Sequence, residues 1–126
     1  MIELAIKTSL ERITGMAVYP LLLPPDVMTG ITYQRISDPA IETGLVRTRL
    51  VEGRFQVTFY VVDQFTQLVT MDRDVWAVWQ GIVHSPLEGY DVQFIERAGL
   101  QDGQEISNNG SIVYSRRRDY LITFSE

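Results

Sequence analysis

Three adjacent arginines, Arg116-Arg117-Arg118, are the densest chemistry in this 126-residue chain. A guanidinium pairs carboxylates or phosphates through a fixed fork of donors. The triplet lies in Ser111–Phe124, a run that reads as a β-strand. Successive strand residues point to opposite faces. Arg116 and Arg118 therefore share a face with Ile112, Tyr114, Tyr120, Ile122 and Phe124, while Arg117 joins Val113, Asp119 and Leu121. Two unpaired arginines buried beneath a helix would be very costly. The pattern predicts either a bulge or a strand that projects past the helical cover, and in both cases guanidinium groups at a sheet margin. Carboxylates of a neighbouring subunit, intrachain acids such as Asp119, and phosphates are all open as partners. An exposed run with no special role is the plain alternative. Arg47, Arg49 and Arg54 would enlarge a nucleic-acid surface if the sheet gathered them, although the rest of the chain is acidic.

Other chemistry is sparse. His84 is the single histidine, and the periodicity sets it at the end of a helix, where it can meet terminal carbonyls. No Gly-x-Ser-x-Gly elbow accompanies it as a nucleophile. Asp72 and Asp74 are two apart on the same helix, so they do not converge on a metal and read as solvated charge. Asp102, Glu105, Asn108 and Asn109 share a polar stretch without the ligand alternation of a calcium loop. No glycine-rich phosphate cradle is present. The expectation is a non-enzyme with no catalytic residue, metal or cofactor. Glu88, Asp91, Glu96, Asp102 and Glu105 face only Arg97 in that part of the sequence. An acidic patch and a basic run on one domain can support head-to-tail association, which closes into a ring when the rotation permits.

The elements that must position these residues follow from periodicity. Residues 2–14 carry Ile2, Ala5, Ile6, Ser9, Leu10 and Ile13 on one helical side, with Gly15 as a stop. Pro20, Pro24 and Pro25 make 16–30 an extended connection. Ile31–Ile36 reads as a strand and Ser37–Gly44 as a loop. Leu45–Val51 and Arg54–Val62 read as strands, the second with Phe55, Val57, Phe59 and Val61 facing inward. Glu52-Gly53 between them is either a hairpin turn or part of one long bulged strand. Residues 64–84 read as the main helix, with Phe65, Leu68, Val69, Asp72, Val75, Trp76, Trp79, Ile82 and Val83 on one stripe, ended by Ser85-Pro86. Tyr90–Ala98 is a strand pattern, Gly99–Gly110 a hairpin loop, and the arginine strand closes the order. The expected class is α+β. One domain spanning 1–126 has a largely antiparallel or mixed sheet, with the N-terminal helix and one long central helix on one face.

Composition fits a single globular core. The formal net charge is −5, which favours solubility and opposes a DNA-coating role. There is no cysteine, so disulfides and thiolate chemistry are excluded. No run approaches the roughly 18 apolar residues of a membrane span, and the first residues do not read as a signal peptide. The expected setting is cytoplasmic, or an assembly built there.

Several segments in order resemble a known family. Val18-Tyr19-Pro20-Leu21-Leu22-Leu23-Pro24-Pro25 follows the first helix. Ile31-Thr32-Tyr33-Gln34-Arg35-Ile36-Ser37 comes next, then Arg54-Phe55-Gln56-Val57-Thr58-Phe59-Tyr60 and a long helix. The chain closes on Arg117-Arg118-Asp119-Tyr120-Leu121-Ile122-Thr123-Phe124. This series resembles the tail terminator (tail completion) proteins of long-tailed bacteriophages. The resemblance implies a homo-oligomeric ring, typically a hexamer, at the head-proximal end of the tail tube. Such a ring ends tube polymerisation, offers the surface where the head completion or connector protein docks, and lets DNA pass without specific binding. It implies location in the virion and no membrane partner. Arg116, Arg117, Arg118, Arg47, Arg49, Asp102 and Glu105 are then candidates for contacts between subunits or with partners. The triplet would mark a sheet margin, and Arg116→Glu with Arg118→Glu would impair assembly while the monomer stays folded. A head–tail connector, another minor tail component and a nucleic-acid-binding module are the alternatives.

Overall fold

In the computed structural model, residues 1–43 and 46–126 are described. Helix α1 spans Ile2–Thr14 and ends on Gly15 in the left-handed conformation, whose N–H caps Glu11. Its buried side is Ile2, Ala5, Ile6, Ser9 and Leu10, the face that the periodicity predicts. Strand β1 (Val18–Pro20) then pairs in parallel with β2 (Gly30–Ser37). All other pairings are antiparallel. The remaining elements are β3 (Ala40–Thr43), β4 (Val46–Val62), α2 (Phe65–Trp79), β5 (Val83–Leu87), β6 (Tyr90–Ile106) and β7 (Ile112–Ser125). The seven-stranded mixed sheet runs β1-β2-β4-β7-β6-β5, with β3 paired to the first part of β4. Both helices pack on one face, as the α+β reading requires, and no described helix is long and apolar enough to cross a membrane.

The core lies between that face and the helices. Phe55, Val57, Phe59, Tyr120 and Ile122 from β4 and β7 are fully buried against Ile6, Leu10, Leu68, Val75 and Trp79. The Trp79 indole N–H donates to Ser9 Oγ at 2.9 Å, joining the two helices inside the core.

Three boundary expectations change, and the choice left open at Glu52-Gly53 falls to one long strand. Ser37–Gly44 is not simply a loop, because Ala40–Thr43 forms β3 against β4. Glu52-Gly53 is no turn. It lies inside the uninterrupted pairing of β4 with β7, opposite Thr123 and Ile122. A Cβ on Gly53 would come within 2.5 Å of the Phe55 ring and 2.9 Å of the Phe124 ring, so glycine is needed there for packing. The main helix stops at Trp79 rather than 84. Ile82 and Val83 continue its periodicity by coincidence, but Val83 is an exposed residue of β5, and Ser85-Pro86 lie in that strand. Gly99–Gly110 is mostly strand, since β6 continues to Ile106 and leaves only a short turn around Ser107–Gly110.

The Gly53 geometry makes a direct prediction. Gly53→Ala forces two core rings to shift and should cost about 1–3 kcal/mol of stability, the usual range for overpacking, read from denaturant midpoints with unchanged m-values.

Candidate functional site

The route of α2 brings the chemistry together. Asp63, at positive φ before the helix, accepts the Ile112 N–H at 2.8 Å and donates its own N–H to the Ile112 carbonyl at 2.8 Å. This double bond sets the start of α2 at the start of β7, and the helix then follows that strand. Phe65 meets the edge of Tyr114 at 5.5 Å. One helical stretch further, Asp72 faces the arginines. Trp76 and Trp79 then pack on Tyr120, with ring centres at 6.4 and 4.8 Å.

Asp72 is 3% exposed, so it is not the solvated helix charge that its sequence neighbourhood suggests. Its Oδ1 and Oδ2 accept the Nε and Nη2 of Arg118 at 3.2 and 2.8 Å. Oδ2 also accepts Arg116 Nη1 at 3.1 Å. The other side of the Arg116 fork donates through Nε and Nη2 to Asp102 on β6, at 2.8 and 3.0 Å. Two cations and two carboxylates thus form a closed, neutral cluster across α2, β7 and β6. Hydrogen bonds to Asp102 raise the Arg116 guanidinium above its usual value, against the lowering effect of burial, and Asp72 adds to the rise. The Phe65 ring lies 5.8 Å from the same guanidinium. Asp74 is exposed and takes no part.

The sheet-margin expectation is therefore overturned. β7 is flanked by β4 and β6, and it pairs with β4 without a bulge. The irregularities are in β6, between Val92 and Phe94 and between Arg97 and Leu100. Arg116 and Arg118 stay on the helix face because a carboxylate from the helix comes down to meet them. Reversing both charges would set two further carboxylates around buried Asp72, so Arg116→Glu with Arg118→Glu should disrupt the fold itself rather than spare the monomer.

The remaining candidates are dispersed. Arg117 projects from the helix-free face and donates to Gln101. On that face Arg54 pairs with Asp119 at 2.8 Å, fulfilling the intrachain role considered for this acid with a different arginine. Glu105 is exposed on β6, on the face opposite Asp102. Asn108 and Asn109 belong to the turn beyond, so these four residues do not gather around a common point. Arg49 is exposed near the far end of β4. Arg116 lies opposite Phe59, ten residues further along β4, which is roughly 33 Å of strand. The backbone of Arg47 pairs with Glu42, while its side chain lies outside what is described. The sheet does not collect these arginines into one basic surface. His84 is in β5 rather than at a helix end, at φ 48, with Nδ1 2.6 Å from Gln93 Oε1.

A second arginine cluster went unnoticed in the sequence. Arg35 on β2 pairs with Glu3 of α1 at 2.8 Å and Asp38 at 3.0 Å, and stacks 5.4–5.5 Å over Phe55 and Phe124. Its signal was the same as that of the triplet, an arginine on an otherwise apolar strand face.

No protein-family model matches the chain, and no curated protein matches it. Among solved structures, one with a purely serial designation aligns over 98% of this chain and 97% of its own, at a TM-score of 0.52 and 14% identity. At that identity the likeness is one of fold alone.

Two predictions come from the cluster. Asp72→Ala leaves the mostly buried Arg118 without its carboxylate acceptor and Arg116 with Asp102 alone, and should cost about 3–5 kcal/mol. The triple change Asp72→Leu, Arg116→Met, Arg118→Met should recover most of that loss in the same denaturant titration. Tyr120, beside Asp72, is 0% exposed, and its hydroxyl has no hydrogen-bond partner among the described residues. Burial, then the Asp72 charge, pushes this hydroxyl well above its ordinary 10.0. Its contribution to stability is complete below pH 10 and is lost as pH rises, because the unfolded phenol ionises first. Tyr120→Phe should match or exceed wild-type stability at pH 7 and should reduce the loss above pH 10, both followed by thermal melts.

Proposed function

We propose that this protein is a structural virion component that forms a ring at the head-proximal end of a phage tail tube, ends tube growth and presents the surface for head joining. One observation carries the proposal: a long stretch of strand lies at an open edge of the sheet. Gly99–Ile106 of β6 are all exposed, and among the described residues only β7 pairs with Leu100–Ile106, while β5 stops at Phe94. An isolated domain gains little from long exposed strands, which are aggregation hazards, whereas a subunit of an assembly uses them as contacts.

The resemblance to tail terminators adds support through placement. Two of the segments that carry it, 54–60 and 117–124, are neighbours in the sheet, with Arg54 opposite Leu121 and Phe55 opposite Tyr120. The acidic balance of the chain suits a conduit that must release DNA rather than hold it. The competing nucleic-acid reading loses ground because Arg116 and Arg118 already spend their donors on Asp72 and Asp102. The partners on this proposal are other copies of the chain, the tube protein and a head connector protein.

Native mass spectrometry of the purified protein should show a closed oligomer, with a hexamer the expected size. Adding it to polymerising tail-tube protein should shorten the tubes and leave one end capped in electron micrographs. A persistent monomer with no effect on tube length would remove the proposal. Particles that carry the protein elsewhere would favour a connector or minor tail component.

A further inference from the structure

We infer that the outer edge of β6 between Leu100 and Ile106 pairs with the same edge of a second copy of this chain, antiparallel and two-fold about Gly103. The inference goes beyond the ring reading. A two-fold contact joins two copies and closes no ring by itself, so a ring needs separate head-to-tail contacts.

The edge is open and even. β6 pairs with β7 along most of its length on one side, and on the other β5 covers only Tyr90–Phe94. Among the described residues no strand pairs with the outer side of the rest. From Leu100 to Ile106 the register against β7 is regular. This stretch therefore offers an unbroken row of backbone donors and acceptors to another strand. Two large apolar side chains on it stand in solvent, Leu100 at 49% and Ile106 at 76% exposed.

The edge sequence, Leu-Gln-Asp-Gly-Gln-Glu-Ile, is complementary to itself when reversed. Antiparallel pairing about Gly103 sets Leu100 opposite the second copy's Ile106, Gln101 opposite its Glu105, and Asp102 opposite its Gln104. Apolar residues meet at both ends, each acid meets an amide, and no like charges are opposed. Other registers lose this fit. A two-fold pair keeps like faces together, so its register moves two residues at a time. One such move sets Asp102 opposite Asp102. The opposite move carries Leu100 past the second copy's Ile106 and into its turn.

Charge completes the match. Asp102 is already neutralised by Arg116, which leaves Glu105 as the exposed acid of this edge, without an ion pair among the described residues. Arg117 of β7 is also exposed without an ion pair among them, and it donates to Gln101 Oε1. That bond leaves the Gln101 amide hydrogens free to donate elsewhere. Arg117 lies opposite Gln101 in the β6–β7 register. Pairing thus builds a row of Arg117, Gln101 and the second copy's Glu105 across three adjacent strands on the helix-free face, and symmetry makes the row twice. Seven residues a side is a small interface, so the pair forms reversibly with concentration.

The chain has no cysteine, so an engineered disulfide reports the contact directly. Gln101→Cys and Glu105→Cys are made in separate chains and mixed under mild oxidation. The two thiols then lie opposite each other, while the other end of the pair keeps a native Gln101–Glu105 contact. A covalent dimer should form in the mixture and from neither variant alone. No dimer in the mixture, or as much from one variant alone, overturns the pairing. Sedimentation of the unlinked protein is a second readout. Glu105→Arg sets like charges in both rows and should raise the dimer dissociation constant roughly tenfold, and Arg117→Glu in the same chain should restore it. A dissociation constant that ignores Glu105→Arg also overturns the pairing. Thermal melts establish that each variant is folded. Native mass spectrometry separates this inference from the ring: a covalent pair with no larger closed oligomer removes the ring and keeps this edge, whereas a hexamer with no disulfide in the mixture removes this edge and keeps the ring.

Discussion

A single buried carboxylate organises this fold. Asp72 receives three donors from two arginines and is almost wholly buried, so little water could replace them. An ion pair of this kind adds little net stability over well-packed apolar residues, but breaking it is expensive. Its value lies in specification. A helix resting on a sheet through leucine and valine alone can slide by a turn at modest cost. A helix that must bring one carboxylate over two particular guanidinium groups cannot. The aromatic contacts on either side, Phe65 with Tyr114 and Trp79 with Tyr120, then fall into place along β7.

The N-terminal helix is held in a related way. Glu3 in its first turn reaches Arg35 on β2, whose guanidinium lies over two phenylalanine rings of the core. Each helix therefore presents one acid to an arginine rooted in the sheet. Arginine suits this task better than lysine because its planar fork can serve two acceptors and stack on a ring at once. Arg116 does so, binding Asp72 and Asp102 beside Phe65.

Much of this order is readable from the residues. The first helix, its glycine stop and the inward face of Phe55, Val57, Phe59 and Val61 follow from spacing alone. The ambiguities and failures have physical causes. Gly53 left a turn and a long strand both open, and it is glycine within the strand because aromatic rings fill the place of a side chain. Ile82 and Val83 continue the helical stripe past the helix end because a strand begins in phase with it. Residues 99–106 lack alternation because neither face of that strand is buried, so an exposed strand looks like a loop. The arginine cluster was present in the sequence as two anomalies of opposite sign. One was an acid in an apolar helical stripe, and the other was a pair of arginines on an apolar strand face. Each is improbable when buried alone, and each accounts for the other once the helix is laid along the strand.

The same pairing decides how the molecule meets its surroundings. Lys7, Arg12, Arg35, Arg54, Arg116 and Arg118 are all engaged with acids of their own chain. Arg97 lies 4.9 Å from the Trp76 ring, and Arg117 is bonded to Gln101. Intrachain pairing thus consumes most of the basic residues in a protein that already has more acids than bases. The surface keeps the negative remainder, and the positive charge left over is concentrated at few places, Arg49 among them. A surface of that kind repels polyanions in general. Two members of the arginine triplet, the most conspicuous charge in the sequence, are therefore an internal fastening. Arg116 and Arg118 neutralise Asp72 and Asp102 within the subunit.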